Sequence, residues 1–126
     1  YNSNPLSLKS ALKNFDMIKV DSAKKYLILG DMMELGKYTK KLHVEIGKTI
    51  NKTSLKNVNV IGEHVKWTFK NLNKVKRGII IKKKSQIFDL IKNRLNNNDY
   101  LMIKGSNSTG LNSLTSQIKI GKIHAL

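Results

Sequence analysis

The sequence predicts an α/β protein: a Rossmann-like three-layer α/β/α sandwich around a mainly parallel sheet. Two observations predict this fold class. Short apolar runs, such as 25–30 and 78–81, alternate along the chain with stretches whose apolar residues recur every three or four positions. The runs also contain few polar residues, which is typical of strands that a parallel sheet buries on both faces. Strands that alternate with helices favour parallel pairing through crossover connections.

The amino-terminal part of the chain is predicted to hold a helix, a strand and a second helix. Asn4 suits an N-cap, and Pro5 suits the first helical position, where no backbone donor is lost. The apolar stripe of this helix consists of Leu8, Ala11, Leu12 and Phe15. A buried strand follows at 25–30, and Thr39 is predicted to cap a helix that ends near Lys52. The inward residues of that helix are Leu42, Ile46 and Ile50.

The remainder of the chain continues the alternation. Residues 58–62 are strand-like, and 63–72 place Val65, Phe69 and Leu72 on one face. Three β-branched residues make 78–81 the clearest strand. Ser85 is predicted to cap a helix whose shared face is Ile87, Leu90, Ile91 and Leu95. A strand at 100–104 and a helix at 110–117 complete the prediction, whereas 118–126 predict no element. Repeats and linkers are absent, so we expect residues 1–126 to form one domain.

The composition excludes several classes of protein. A length of 126 residues with 40% hydrophobic content and one proline is typical of one globular domain. The chain has no cysteine, which excludes disulfides, thiolate catalysis and thiolate zinc sites. A membrane span needs roughly 20 consecutive apolar residues, and no stretch approaches that length. A bacterial cytoplasmic setting is compatible with these features.

The formal net charge of +16 invites a nucleic-acid function. However, the basic residues are 22 Lys against 2 Arg, beside 14 Asn and 14 Ile, a bias typical of an AT-rich genome. Phosphate and base recognition favours the bidentate fork of Arg. The lysines are also dispersed, and 82–84 is the only run. The composition therefore favours a solvated basic surface over a nucleic-acid surface, and anionic metabolites remain compatible with it.

Two polar loops are expected at one edge of the sheet, because parallel α/β sheets place ligands beyond the carboxyl ends of their strands. Residues 30–36 leave one strand end and 104–110 leave another. In the first loop, Asp31 and Glu34 could bind a cation or an ammonium group; alternatively, Asp31 caps the turn and Glu34 is solvated. The loop after Lys104 could receive a carboxylate or phosphate, or it could be an ordinary strand-to-helix turn.

Histidine offers little independent indication of catalysis. His43 follows the first loop and lies beside the inward stripe of its helix, so on its own it indicates a structural histidine more than a catalytic one. No set of His, Asp and Glu residues has the spacing of metal ligands, and we predict no metal site in the chain.

Three motifs together resemble the carboxy-terminal domain of the Mur ligase family. They are Tyr1-Asn2-Ser3-Asn4-Pro5, then Leu29-Gly30-Asp31-Met32-Met33-Glu34-Leu35-Gly36 with the later His43, and Asp99 to Asn107 with Lys104-Gly105-Ser106. The first two motifs resemble those of the members that add D-alanyl-D-alanine to UDP-N-acetylmuramoyl tripeptide in peptidoglycan synthesis. The resemblance implies an ATP-dependent amide ligase that works through an acyl phosphate, and whose first and central domains hold the UDP-sugar, ATP and Mg.

The resemblance also implies a role for individual residues. Tyr1, Asn2 and Asn4 would lie on the nucleotide side of the closed cleft. Asp31, Glu34 and His43 would face the reaction centre or the dipeptide, and Asp31, Lys104, Gly105, Ser106 and Asn107 would bind the dipeptide. Asn107 and Leu111-Asn112 depart from the family pattern, which has Arg and then Met-Glu there, so a bidentate carboxylate partner is lost.

The first motif begins midway, so we expect this chain to be part of a longer cytoplasmic enzyme and to be inactive alone. Two alternatives remain open. One is a related ligase that uses the same domain for another acceptor, as in folate polyglutamylation. The other is a basic module that binds RNA without catalysis.

Overall fold

The computed structural model describes residues 4–105 and 124–125, and it confirms the predicted α/β fold class. The helices of this part are α1 (Pro5–Met17), α2 (Thr39–Asn51), α3 (Lys66–Lys70) and α4 (Lys84–Arg94). The strands are β1 (Lys25–Gly30), β2 (Val58–Ile61), β3 (Arg77–Ile81), β4 (Tyr100–Lys104) and β5 (His124–Ala125). These strands form one sheet in the order β3-β2-β1-β4-β5, and every neighbouring pair is parallel.

Alternate residues of the central strands fill two separate apolar layers. On one face of β1, Leu27 and Leu29 pack with α1 and α2. On the other face, Tyr26 and Ile28 pack with α4. The first layer includes Leu8, Leu12, Phe15, Ile46 and Ile50, and the second includes Ile81, Ile87, Leu90, Leu101 and Ile103. Each such side chain contributes roughly 1.5–3 kcal/mol on burial, so the two layers fix which side of strands β1 to β4 faces which helix.

The helix that begins at Pro5 forms as predicted. Asn4 Oδ1 accepts a hydrogen bond from the backbone N–H of Ser7 at 2.9 Å, which satisfies a donor that the helix itself leaves unpaired. The predicted inward residues Leu8, Leu12 and Phe15 are buried. The bounds of β1 and β4 also match their predictions.

Two predicted helix caps are wrong. Thr39 does not cap α2, because a short 3-10 turn (Gly36–Tyr38) precedes that helix and the Thr39 hydroxyl donates to the Gly36 carbonyl at 2.7 Å. Ser85 does not cap α4, which starts one residue earlier. There the side chain of Gln86 accepts from the backbone N–H of Lys83 at 2.9 Å. In neither place does the predicted side chain accept from the first N–H groups of the helix.

The segment 63–72 contains the five-residue α3, and Val65, Phe69 and Leu72 pack in the same apolar layer, as expected. One further prediction needs correction. The strand at 78–81 is not buried on both faces, because β3 lies at the edge of the sheet and Ile80 remains 38% exposed. The predicted helix at 110–117 lies outside the described residues. In the tail, His124–Ala125 pairs with β4.

The described part of the chain contains no helix long and apolar enough to cross a membrane.

A bulge between β2 and β3 is repaired by one buried amide side chain. Val58 pairs with Arg77 but Val60 pairs with Ile80, so β3 carries an extra residue there. Asn59 is 1% exposed and donates to the carbonyl of Leu27 at 3.1 Å. Its Oδ1 accepts from the N–H of Ile79 at 2.9 Å, which gives the bulged residue a partner. A Cβ at position 78 would overlap the Asn59 amide, so this position requires glycine.

We predict that Asn59→Ala lowers the free energy of unfolding by about 1–3 kcal/mol, the usual cost of leaving buried backbone groups unpaired. The measurement is urea unfolding followed by circular dichroism. Asn93→Ala, at an exposed position of α4, is the matched control and should change stability by no more than about 0.5 kcal/mol. Equal effects of the two substitutions would contradict this role of Asn59.

Candidate functional site

The carboxyl ends of three adjacent strands lie side by side and form the candidate site. In the pairing of β1 with β4, Leu29 is opposite Lys104. In the pairing of β1 with β2, Gly30 is opposite Ile61. Gly30, Ile61 and Lys104, the last residues of their strands, therefore lie at the same edge of the sheet. This confirms the expected convergence of the strand ends that carry the second and third motifs.

Asp31 is the first residue beyond β1, and its carboxylate joins two of these loops. The side chain is buried, with 7% exposure. Its Oδ2 accepts from the N–H of Glu63 at 3.1 Å, and its Oδ1 accepts from the N–H of Val65 at 2.8 Å. Charge-assisted bonds of this kind are stronger than neutral ones. The carboxylate thus fastens the loop between β1 and α2 to the loop between β2 and α3.

Gly62 makes this contact possible. Its φ of +132° belongs to a region that side-chain-bearing residues rarely adopt. A Cβ at this position would also overlap the Asp31 carboxylate. Both constraints explain why glycine follows β2 directly.

His43 is buried under the same loop, with 1% exposure. Its Nδ1 lies 2.6 Å from the carbonyl oxygen of Thr39, and its Nε2 accepts from the N–H of Met32 at 3.1 Å. A carbonyl only accepts and a backbone N–H only donates, so these partners fix the neutral tautomer with the proton on Nδ1. The imidazole therefore connects the β1–α2 loop to the first turn of α2.

Burial is the main cause that lowers the pKa of His43 below its ordinary value of 6.5. The hydrogen bond to Thr39 and the charge of Asp31 act in the opposite direction, and His64 adds to the lowering. The His64 ring lies 5.9 Å from the His43 ring, centroid to centroid. The neutral form that the hydrogen bonds require is also the form that burial favours.

Glu34 differs from Asp31 in its exposure, its hydrogen bonds and its backbone conformation. Its side chain is exposed, and no described residue forms a hydrogen bond or ion pair with its carboxylate. Its backbone has a φ of 62°, an unusual conformation for a residue with a side chain. Of the two carboxylates in this loop, Glu34 is the one that can meet a ligand from solution.

The remaining predicted site residues are described only in part. Lys104 is half-buried at the end of β4, and Gly105 is buried beside it. Asn4 is exposed, and its side-chain oxygen serves as the cap of α1. Tyr1, Asn2, Ser106 and Asn107 lie outside the described residues. Within residues 4–105, no cluster of His, Asp or Glu side chains could hold a metal ion.

Two contacts beside this edge could not be predicted from the sequence. The hydroxyl of Thr68, a buried residue of α3, donates to the backbone carbonyl of His43 at 2.7 Å. The Lys40 ammonium lies 4.1 Å from the centre of the Trp67 ring, and that of Lys70 lies 4.9 Å from it. The Thr68 hydrogen bond and the Lys40–Trp67 contact fasten α3 to α2, whereas Lys70 belongs to α3 itself.

The chain is similar in sequence to known proteins over most of its length. The sequence profile of the family described as "Mur ligase, glutamate ligase domain" matches residues 1–107. A UDP-N-acetylmuramoyl-tripeptide–D-alanyl-D-alanine ligase of Rickettsia prowazekii is 28% identical over 115 residues, which cover 90% of this chain and 25% of that protein. The enzyme of the same name from Buchnera aphidicola is 30% identical over 121 residues, covering 94% of this chain and 25% of that protein. The chain thus spans about a quarter of the length of these relatives.

Solved structures with the same fold carry related names. The MurF ligase from Thermotoga maritima, in complex with ADP, has a TM-score of 0.75 at 20% identity and covers 95% of this chain and 26% of that one. A MurF structure from Acinetobacter baumannii has a TM-score of 0.74 at 21% identity and covers 96% of this chain and 27% of that one. At these identities the likeness establishes the fold.

We predict that acid destabilises the fold through His43. Because the pKa of His43 is lowered in the folded state, this residue binds a proton below about pH 6.5 more readily in the unfolded chain than in the folded one. The free energy of unfolding therefore falls as the pH falls. Between pH 7.5 and 5.5 this contribution is up to about 1.4 kcal/mol. Urea unfolding should show it in the wild type, and His43→Gln should lack it. Identical losses in both proteins would contradict the prediction. Between pH 7.5 and 8.5 the free energy of unfolding should change by a similar, small amount in the two proteins.

We predict that Asp31→Asn lowers the free energy of unfolding by about 1–3 kcal/mol, because an amide offers one acceptor oxygen for two backbone donors. Asp99 provides a matched comparison at the opposite edge of the sheet. It is 3% exposed and accepts from the N–H groups of Lys24 and Asn96 at 2.9 and 2.8 Å. Asp99→Asn should cost a similar amount, whereas Asp89→Asn, which is exposed on α4, should cost little. A loss at Asp31 no larger than that at Asp89 would refute the anchoring role.

Proposed function

The chain belongs to the Mur ligase family as its glutamate ligase domain, and from this premise we propose that it is the carboxy-terminal domain of an ATP-dependent ligase. The complete enzyme would join D-alanyl-D-alanine to UDP-N-acetylmuramoyl tripeptide in the cytoplasm during peptidoglycan synthesis. The names of two relatives, matched over 90% and 94% of this chain, support the choice of substrates. The observation that carries the proposal is the register that sets Leu29 beside Lys104, because it brings two motif loops to one edge.

The chemistry of the dipeptide suits this edge. D-Alanyl-D-alanine is a zwitterion with an ammonium group at one end and a carboxylate at the other, so it requires groups of opposite charge on neighbouring supports. Glu34 offers an exposed carboxylate on the β1–α2 loop. Lys104 offers an ammonium group at the end of the adjacent strand. We assign the dipeptide ammonium to Glu34 and its carboxylate to Lys104, with help from Gly105, Ser106 and Asn107.

Asp31 and His43 would contribute by holding the loop. Their polar side-chain atoms already bind backbone groups of the protein. Both side chains are buried, at 7% and 1% exposure. They would therefore determine where Glu34 stands, which matters because a displacement of about 1 Å in a bound reactant can cost a hundredfold in rate.

ATP would supply the phosphoryl group that activates the carboxylate of the tripeptide. By the family resemblance, ATP and Mg would be held mainly by a central domain, and UDP-N-acetylmuramoyl tripeptide by an amino-terminal one. Tyr1, Asn2 and Asn4 would lie on the nucleotide side of the closed cleft. The present domain would orient the dipeptide amine toward the activated carboxylate and exclude water when the domains close.

The test of this function is release of ADP and phosphate by the complete ligase. We expect turnover that requires both UDP-N-acetylmuramoyl tripeptide and D-alanyl-D-alanine, with the pentapeptide product identified by mass. Turnover with glutamate and a folate acceptor instead would favour the folate-type ligase. A salt-dependent RNA gel shift that survives heparin, without any turnover, would favour the nucleic-acid module. We expect the isolated domain to be inactive.

We predict that Lys104→Gln in the complete ligase raises the KM for D-alanyl-D-alanine by about tenfold or more, since it removes a charged partner of the dipeptide carboxylate. The KM for the tripeptide acceptor should stay within about twofold. Lys92→Gln, at an exposed position of α4 on the other face, is the charge-matched control and should leave both constants unchanged. An unchanged dipeptide KM in the Lys104 variant would contradict the assignment.

A further inference from the structure

His43 connects three elements that surround the β1–α2 loop. Its ring accepts from the N–H of Met32 in the loop and binds the carbonyl of Thr39 in the first turn of α2. Its own backbone carbonyl accepts from the hydroxyl of Thr68 in α3. At 1% exposure the ring cannot reach a ligand in solution. Any effect of His43 on substrates must therefore act through the backbone that it holds.

Besides this contact, the loop is held at both ends and by two apolar side chains: Met32 is 1% exposed, and Leu35 packs against the first apolar layer. Asp31 fixes its start through the amides of Glu63 and Val65. At its end, the Tyr38 N–H donates to the Leu35 carbonyl. Only two residues, 33 and 34, lie between the anchored Met32 and Leu35. The position of Glu34, with its φ of 62°, thus follows from where the Met32 amide is held.

A proton on His43 is incompatible with this arrangement. An imidazolium has two N–H donors and no acceptor, so protonated Nε2 would point its hydrogen at the Met32 N–H. The titratable groups that face the ring are Asp31 from the β1–α2 loop, which favours the charged form, and His64 from the β2–α3 loop, which opposes it. From α3, the uncharged Thr68 donates to the backbone carbonyl of His43. Protonation must therefore break the bond to Met32.

We propose that His43 is a positioning residue and an acid-sensitive latch: its neutral imidazole holds Met32 so that Glu34 is placed for the substrate, and its protonation releases the loop. The inference rests on the proposed function for the identity of the substrate, but the latch itself is a property of this chain. Two variants separate its parts. His43→Gln keeps an acceptor for the Met32 N–H and does not titrate, and His43→Leu removes the acceptor.

The first experiment measures hydrogen exchange of the Met32 amide by NMR in the 126-residue chain. We expect exchange at pH 7.5 to be about tenfold faster or more in His43→Leu than in the wild type, the usual consequence of losing one hydrogen bond. His43→Gln should stay within about threefold of the wild type. Relative to His43→Gln, the wild type should lose protection as the pH falls below about 6.5. Equal protection in all three proteins, or an acid response that persists unchanged in His43→Gln, would overturn the latch.

The second experiment measures steady-state kinetics of the complete ligase. His43→Leu should raise the KM for D-alanyl-D-alanine about tenfold and leave the KM for the tripeptide near its original value. His43→Gln should restore the dipeptide KM and remove its rise at acid pH. A fall in kcat shared by both variants, without a change in the dipeptide KM, would contradict a positioning role. If the enzyme proves not to use this dipeptide, the exchange measurement still tests the latch, so the two hypotheses fail separately.

Discussion

The arrangement of the site depends on one constraint, the parallel register of β1 with its two neighbours. Leu27 and Leu29 face α1 and α2, while Tyr26 and Ile28 face α4. A slip of one residue would send each of these side chains to the wrong layer. The apolar layers therefore fix the register, and the register places Leu29 opposite Lys104. A hydrophobic pattern thus determines which polar loops meet at the edge.

Buried polar side chains convert that edge into a fixed support. Asp31 accepts two backbone hydrogen bonds at the carboxyl edge, and Asp99 accepts two at the opposite edge. His43 is a second anchoring side chain for the β1–α2 loop. Because these groups lose their water on burial, each must keep its partners, and loss of one partner costs more than the bond itself contributes. Glu34 can then stay exposed on a loop whose backbone is held by the hydrogen bonds of Asp31 and His43.

Local sequence predicted the elements and the edge but not the contacts that support the site. The Asn4 cap, the strands at 25–30 and 100–104, and the meeting of their ends follow from capping chemistry, periodicity and the rules of parallel sheets. Asp31 binds the N–H groups of Glu63 and Val65, which are more than 30 positions away in the sequence, and hydrophobic periodicity does not predict such bonds. The same holds for the bulge that Asn59 repairs and for the exposure of Ile80, which follows from strand order. For His43 the sequence favoured a structural role, and only the ring's two partners show how the role is performed.

The most direct test of the central claim is a crystal structure of the complete ligase with D-alanyl-D-alanine bound. The dipeptide should lie at the carboxyl edge of the sheet, with the Glu34 carboxylate and the Lys104 ammonium within about 2.7–3.2 Å of its two charged ends. A dipeptide bound at the opposite edge, near Asp99, or on an outer helical face would contradict the claim.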